Sequence, residues 1–280
     1  MRMEIRGANL NYETLGESGP WVALSSGSRN GLTNALPFAE RVAAAGYQVL
    51  VHDRRNCGAS DVVIEGDEPE WEIWADDLAE LLTGVGARPA FVGGSSSGAM
   101  LALTLAVRHP EAVSGLLLWR LAGESFSANF VGRELCGQYV ETARQGGMAA
   151  VCATEFFAER IDARPSNRER LMSMDPAHFI DVMGGWRDHW LAGADLPLFG
   201  ATAEALASIS VPACIIPGND RVHPRQVGEA ASRLIPNAEL HDLAGPNLDV
   251  DLAGGWSQRD REIAEILIPF LNRVSATAPV

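Results

Sequence analysis

A serine surrounded by small residues is the strongest chemical signal in the chain. Residues 91–100 read FVGGSSSGAM and contain the pattern G-x-S-x-G, centred on Ser96. The pattern stands between an apolar run predicted as a strand and one predicted as a helix, and a tight turn there projects the serine oxygen. The N–H group of Ser97 then lies at a helix N-terminus, where it can stabilise an oxyanion. The spacing therefore predicts Ser96 as a nucleophile, with a glycine-rich turn without chemistry as the alternative.

A serine nucleophile needs a base that accepts its proton, and the composition narrows the choice. All 22 basic residues are arginine, and the chain has no lysine. This excludes Schiff-base catalysis, the Walker phosphate loop and the lysine of protein kinases. Arginine keeps its proton in proteins. The base must therefore be one of the six histidines, a carboxylate such as Asp220 or Asp249, or a group on the substrate.

The elements that must position these groups alternate between strands and helices. Continuous apolar runs, such as VLV before His52 and LLLW at Trp119, indicate strands buried on both faces of a mostly parallel sheet. Residues 121–210 break this rhythm, because they are helical in pattern and rich in aromatic and methionine side chains. We therefore expect an α/β core formed by residues 1–120 and 211–280, with helices on both faces of the sheet and a helical cap inserted at 121–210. An apolar pocket between the cap and the sheet follows from this arrangement.

Charge and composition limit the partners. The length of 280 residues suits one large domain, or one domain with an inserted subdomain. The formal net charge of −14 argues against nucleic acid and anionic membranes as partners. We therefore expect a small, apolar substrate, and the oligomeric state stays open.

The chain also carries no signal for secretion, cofactors or metals. It has neither a signal-peptide pattern nor an apolar run of about 18 residues, and its four cysteines have no CxxC spacing, so we expect reduced thiols in the cytoplasm. The glycines near Ser96 do not make the G-x-G-x-x-G pattern, and no calcium-binding loop or H-x-x-x-H pair is present. We expect no cofactor and no metal.

Three segments together resemble the α/β-hydrolase superfamily, over nearly the whole chain. The first segment is the serine turn. The second, residues 52–61 (HDRRNCGASD), is similar to the D-x-R-G-x-G-x-S-D loop of that family. The third, residues 217–224 (PGNDRVHP), is similar to the loop after its seventh strand. The resemblance implies the α/β-hydrolase fold, Ser96 as the nucleophile and Asp220 as the acid of a triad. An Asx turn is the alternative role for Asp220.

The segment expected to hold the oxyanion departs from the family pattern. Where family members usually have His-Gly after the third strand, this chain has Ser26 followed by Gly27. A backbone donor needs no histidine side chain, so the N–H group of Ser28 would complete the hole with that of Ser97. Arg29, together with Asn30, is a candidate for further donors that face the substrate, with a solvated position in the loop as the alternative for both. We therefore predict an oxyanion and substrate-binding group made of Gly27, Ser28, Arg29 and Ser97.

The histidine of the family triad is missing from its usual place. Residues 243–249 read LAGPNLD, without histidine. His223, three residues after Asp220, is the first candidate for the base, with packing beside Pro224 as its alternative role. The other five histidines are further candidates. His178 and His189 lie in the predicted cap, and His52, His109 and His241 lie elsewhere in the chain.

Three functions remain open from the sequence. The first is a serine hydrolase that acts on an ester, lactone or related acyl compound through Ser96. The second is a lyase, cyclase or isomerase on the same fold, which the missing histidine motivates. The third is a ligand-binding pseudoenzyme that keeps the pocket without catalysis.

Overall fold

An eight-stranded sheet forms the centre of the molecule. The computed structural model describes residues 1–243 and 259–277. Among the described residues the strands occur in the spatial order β1-β2-β4-β3-β5-β6-β7-β8. In this sheet β1–β2 and β2–β4 pair antiparallel, and the other neighbours pair parallel. Their bounds are β1 (Arg2–Ile5), β2 (Ala8–Leu15), β3 (Trp21–Ser25), β4 (Gln48–His52), β5 (Ala90–Ser95), β6 (Val113–Trp119), β7 (Ala213–Ile216) and β8 (Ala238–Leu240). The central strands are almost entirely buried, as their continuous apolar runs predict.

Helices cover both faces of this sheet. On one face the core includes side chains of α2 (Glu70–Val85), α3 (Ser97–Arg108) and α10 (Arg225–Leu234). On the other face it includes side chains of α1 (Leu36–Ala44) and α11 (Asp260–Thr277). The predicted α/β-hydrolase fold, with a mostly parallel sheet between two helical layers, is confirmed.

Helices fill the interval between β6 and β7. They are α4 (Glu124–Gly132), a π-helical turn (Arg133–Gly137), α5 (Gln138–Cys152), α6 (Glu155–Ala163), α7 (Ser166–Ser173), α8 (Pro176–Ala192) and α9 (Ala203–Ala207). Helix α8 packs against α4 and α5, and the aromatic side chains of this layer contact one another at its centre. The division of the chain at residues 121 and 210 stays a prediction. Within the described ranges, no helix has the length and apolar character needed to cross a bilayer.

Polar contacts fasten the inserted helices to the loop after β4. The Asp61 carboxylate, which is fully buried, pairs with Arg164 and with Arg170, the latter at 3.0 Å. The amide of Asn167, in α7, accepts a hydrogen bond from Val62 N at 2.9 Å and donates one to Ser60 O at 3.1 Å. These contacts fix the helical layer above the carboxyl ends of the central strands.

Candidate active site

The G-x-S-x-G segment forms the strand-to-helix turn that the sequence predicts. Ser96 lies between β5 and α3, with φ 55° and ψ −117°. A Cβ atom on either Gly94 or Gly98 would stand 2.2 Å from Ser25 O, at the end of the neighbouring strand β3. Glycine is therefore required on both sides of Ser96, because β3 approaches the turn closely there. The close packing supports the left-handed backbone of Ser96 and exposes its hydroxyl.

His223 and Asp220 complete a hydrogen-bonded chain with Ser96. His223 Nε2 lies 2.9 Å from Ser96 Oγ, and His223 Nδ1 lies 2.9 Å from both carboxylate oxygens of Asp220. A carboxylate only accepts hydrogen bonds, so the proton of the neutral imidazole belongs on Nδ1. Nε2 is then free to accept the hydroxyl proton of Ser96, which is the geometry that general-base catalysis requires.

A tight loop after β7 makes this short spacing of acid and base feasible. The Oδ1 atom of Asp220 accepts hydrogen bonds from Val222 N and His223 N, each at 2.9 Å, so the carboxylate also closes an Asx turn. A Cβ atom on Gly218 would stand 2.4 Å from His223 O. The absence of a side chain at Gly218 lets the loop fold back and bring the imidazole over Asp220.

The electrostatic surroundings keep the acid charged and the base neutral. Burial by itself would raise the pKa of Asp220, but the hydrogen bonds and charge of His223 and the charge of Arg120 lower it to about 2. Burial is the main cause that lowers the pKa of His223 below its ordinary value; Asp220 raises it and Arg120 lowers it. The guanidinium Nη2 of Arg120 lies 3.3 Å from Asp220 Oδ2 and 3.2 Å from His223 Nδ1.

Ser28 and Ser97, the two predicted oxyanion donors, line the pocket beside Ser96. They are also joined to each other, because Ser97 Oγ donates a hydrogen bond to Ser28 O at 2.7 Å. The guanidinium of Arg54 donates to Ser97 Oγ at 3.1 Å and also to Ser28 O. This buried arginine lies over the ring of Trp74, with Cζ 4.3 Å from the ring centre. Sequence reasoning missed Arg54, although it stands within the D-x-R-like segment.

Gly27 and Arg29 do not line the pocket. Gly27 packs under the serine turn, where a Cβ atom would stand 3.1 Å from Ser95 O. The Arg29 side chain is 1% exposed and pairs with Glu70 at 2.6 Å, and it also donates to Leu135 O at 2.5 Å. The prediction that Arg29 faces the substrate is therefore corrected. Its charge is taken up by the buried Glu70, which links the loop after β3 to α2.

The other histidines lie apart from Ser96. His52 is buried, and burial together with Arg54 lowers its pKa to about 3, so it is neutral. His109 contacts Asp76 at 2.8 Å and His241 contacts Glu239 at 3.2 Å, both at the surface. Among the cap candidates, His178 is exposed and His189 packs against the ring of Trp71. Asp249, the other possible carboxylate base, lies outside the described residues.

The pocket above Ser96 is mostly apolar. It has about 700 Å³ of empty space, which includes its opening to solvent. Apolar side chains from both the core and the inserted helices surround it: Met100, Leu121, Ala122, Phe130, Val131, Leu135, Trp190, Leu198, Phe199 and Val222. Its remaining lining comprises the site residues and Glu134, a half-exposed carboxylate on the π-helical turn.

Comparisons with known proteins agree with this architecture. A sequence profile of the family described as serine aminopeptidase, S33, matches residues 20–120, which contain the serine turn. The uncharacterized hydrolase YraK of Bacillus subtilis (strain 168) is 35% identical over 111 residues, 40% of this chain and 40% of that protein. The pimeloyl-[acyl-carrier protein] methyl ester esterase of Chromobacterium violaceum is 29% identical over 84% of this chain and 89% of its own. The enol-lactonase from Burkholderia xenovorans LB400 superposes with a TM-score of 0.63 at 20% identity, covering 98% of this chain and 99% of that one.

Proposed function

We propose that this chain, which has the α/β-hydrolase fold and matches the serine aminopeptidase, S33, family profile over residues 20–120, is a serine hydrolase that cleaves an apolar ester or lactone through Ser96. The observation that carries the proposal is the 2.9 Å contact between His223 Nε2 and Ser96 Oγ. With this contact, His223 takes the place of the histidine that is missing from residues 243–249, and Asp220 acts as its acid.

The proposed reaction follows the two-step route of serine hydrolases. Ser96 Oγ attacks the carbonyl carbon while His223 Nε2 accepts its proton, and the oxyanion forms between the N–H groups of Ser97 and Ser28. The carbon–oxygen bond to the alcohol breaks as His223 returns the proton to the leaving oxygen. Water then attacks the acyl-enzyme with His223 again as the base, which releases the acid and restores Ser96.

The lining of the pocket supports an apolar substrate. Ten apolar side chains face the space above Ser96, and such surfaces bind acyl or alkyl groups by removing them from water. The names of the relatives, an esterase of a methyl ester and an enol-lactonase, agree with an acyl substrate.

The non-hydrolytic and pseudoenzyme alternatives rest on the absence of a base. The lyase, cyclase or isomerase hypothesis and the ligand-binding hypothesis were motivated by the lack of histidine at 243–249. A base within hydrogen-bond reach of Ser96 removes much of the reason for these two hypotheses, because Ser96 can then be deprotonated during attack. Hydrolysis through an acyl-enzyme is accordingly the function we propose.

Labelling of the nucleophile tests the proposal directly. We expect a fluorophosphonate probe to label the wild type, and labelling to fall to background in Ser96→Ala. In Ser95→Ala, one residue away and outside the pocket lining, labelling should persist. Equal labelling of wild type and Ser96→Ala would exclude Ser96 as the nucleophile.

A panel of p-nitrophenyl esters with short and long acyl chains tests the base. We expect kcat to fall by about 10³-fold or more in His223→Ala. It should stay near the wild-type value in the control His189→Ala. This histidine packs against Trp71, with the two ring centres 6.4 Å apart, rather than against Ser96. Substantial turnover by His223→Ala, or loss of turnover only in His189→Ala, would contradict the assignment.

The location follows as a second part of the proposal. We propose that the protein acts in the cytoplasm, because all four cysteines are free and buried, as in a reducing compartment. Cell fractionation with an antibody against the native chain tests this, and recovery in a secreted fraction would contradict it.

A further inference from the structure

We propose that Arg120 is a positioning residue of the triad: its guanidinium orients the Asp220 carboxylate and keeps His223 in the neutral, proton-accepting form. The inference rests on the proposed function, since it concerns the same serine, histidine and aspartate. It adds a fourth member to the triad, a cation behind the acid.

The backbone places Arg120 behind the triad rather than in the pocket. Arg120 directly follows β6, and its N–H group donates to Ile216 O at 3.0 Å, which extends the pairing with β7 by one residue. Its φ of 55° is rare for a residue other than glycine, and such strained positions concentrate at functional sites. The side chain is 16% exposed, contacts Asp220 and is not among the residues that line the pocket.

The guanidinium and the imidazole share one carboxylate. Arg120 Nη2 donates to Asp220 Oδ2 at 3.3 Å, while His223 Nδ1 donates to the same carboxylate at 2.9 Å. Two donors on one carboxylate hold its plane toward the imidazole and favour the ionised form of Asp220. Arg120 thus helps to select the tautomer of His223 that leaves Nε2 free for Ser96.

The same guanidinium opposes a positive charge on His223. Its Nη2 atom lies 3.2 Å from His223 Nδ1, and a second cation at that distance disfavours the imidazolium. Among the described residues, the charged groups that act on His223 are Asp220, from its own loop, and Arg120, from the end of β6; Ser96 faces it from the serine turn. Burial lowers the pKa of His223 most, Asp220 raises it and Arg120 lowers it further, so the two charges adjust the pH at which the buried base is available.

The charge of Arg120 determines the direction in which its replacement shifts the pKa of His223. Replacement of Arg120 by a neutral residue removes a repulsive charge, so the pKa of His223 rises. The acid limb of kcat/KM, which reports the base of the free enzyme, then moves to higher pH. A rise of about one pH unit would lower kcat/KM about tenfold on the acid side of the profile and leave the plateau at higher pH much less affected.

The test is a pH profile of kcat/KM for a p-nitrophenyl ester, between about pH 4.5 and 9. Arg120→Gln keeps a hydrogen-bond donor and loses the charge, whereas Arg120→Lys keeps the charge. We expect the acid limb of Arg120→Gln to rise by about one unit and that of Arg120→Lys to stay within about 0.3 unit of the wild type. An unmoved acid limb in Arg120→Gln, or an equal rise in both variants, overturns the proposal.

Two further measurements separate the role of Arg120 from misfolding and from failure of the proposed function. If Arg120→Gln does not fold by circular dichroism, Arg120→Met, which also lacks the charge, takes its place: its acid limb must lie at higher pH than that of Arg120→Lys, and equal limbs overturn the proposal. Ser96→Ala is assayed in parallel. Loss of turnover in Ser96→Ala with an unmoved limb in Arg120→Gln rejects only the role of Arg120, whereas turnover by Ser96→Ala rejects the proposed function itself.

Discussion

Arg54 connects the two sides of the predicted oxyanion hole. Its guanidinium bonds Ser97 Oγ and the carbonyl of Ser28, and Trp74 covers its other face. A buried cation with two partners fixes their separation, because moving either would leave a charge without a hydrogen bond. At the residue scale, Arg54 therefore holds the loop after β3 at a set distance from the serine turn.

Replacing Arg54 should damage turnover more than binding. In Arg54→Met we expect kcat to fall by about 10- to 100-fold with KM within about threefold of the wild type, because the oxyanion donors act on the transition state. Steady-state kinetics on a p-nitrophenyl ester measure both constants.

Ser97→Ala serves as the graded comparison for Arg54. It removes one hydroxyl from the network and leaves the backbone donor of residue 97 in place, so its loss of kcat should be smaller. A larger loss in Ser97→Ala than in Arg54→Met, or an unchanged kcat in Arg54→Met, would contradict the role given to Arg54.

The sequence predicts the residues that carry a local pattern and misses those defined by distant neighbours. Ser96 stands in a spaced motif, and Asp220 with His223 stands in one short loop, so all three could be proposed as candidates without coordinates. Arg29 was misplaced because its partner, Glu70, is 41 residues away in the chain. Arg120 carries no motif, and its partners lie 100 and 103 residues further on.

At the scale of elements, the serine turn depends on the approach of β3 to β5. Both flanking glycines, Gly94 and Gly98, exclude a Cβ atom because Ser25 O would stand 2.2 Å away. The backbone of β3 cannot move aside easily, since it pairs with β4 and β5 along its length. The geometry of Ser96 is therefore set by sheet packing as well as by its own turn.

Two glycine-to-alanine changes in helices test this dependence. Gly98→Ala, in the first turn of α3, should lower the free energy of unfolding by about 2 kcal/mol or more and reduce kcat, because the new methyl group meets backbone. Gly184→Ala, inside α8, meets no atom within 4 Å and should raise the free energy of unfolding by about 0.5–1 kcal/mol. Urea unfolding and ester hydrolysis measure the two effects, and similar behaviour of the two variants would count against the steric argument.

The elements themselves were predictable where their pattern is local. The spacing of Trp71, Trp74 and Leu78 predicts an amphipathic helix over residues 70–84, and the structure has helix α2 at Glu70–Val85. The order of strands in the sheet was not predictable in this way. It depends on which apolar runs pair across long connections, and a single sequence records the runs but not their neighbours.

At the scale of the molecule, charge fixes the inserted helices on the core. The buried carboxylate of Asp61 faces Arg164 and Arg170, from the segment around α7. Asp61 also accepts hydrogen bonds from Asn9, in β2, so one side chain joins the sheet edge, the loop after β4 and the helical layer. The roof of the pocket thus depends on a contact remote from Ser96.

Neutralising Asp61 should therefore destabilise the whole molecule. We expect Asp61→Asn to lower the free energy of unfolding by about 3 kcal/mol, because two arginines lose a buried partner. The control is Glu141→Gln, which breaks an exposed pair with Arg144 and should cost at most about 0.5 kcal/mol. Urea unfolding compares the two, and equal losses would contradict a special role for the buried carboxylate.

The three-residue separation of Asp220 and His223 also bears on inheritance. The codons of Asp220 and His223, the acid and base of the proposed mechanism, lie within a dozen nucleotides, so a recombination crossover almost never separates them. Exchange of residues 217–224 between related genes would transfer the pair as a unit. The codons beyond residue 224 are then under no selection to encode a catalytic histidine in the proposed mechanism. Selection acts on them only through the other roles of the residues that they encode.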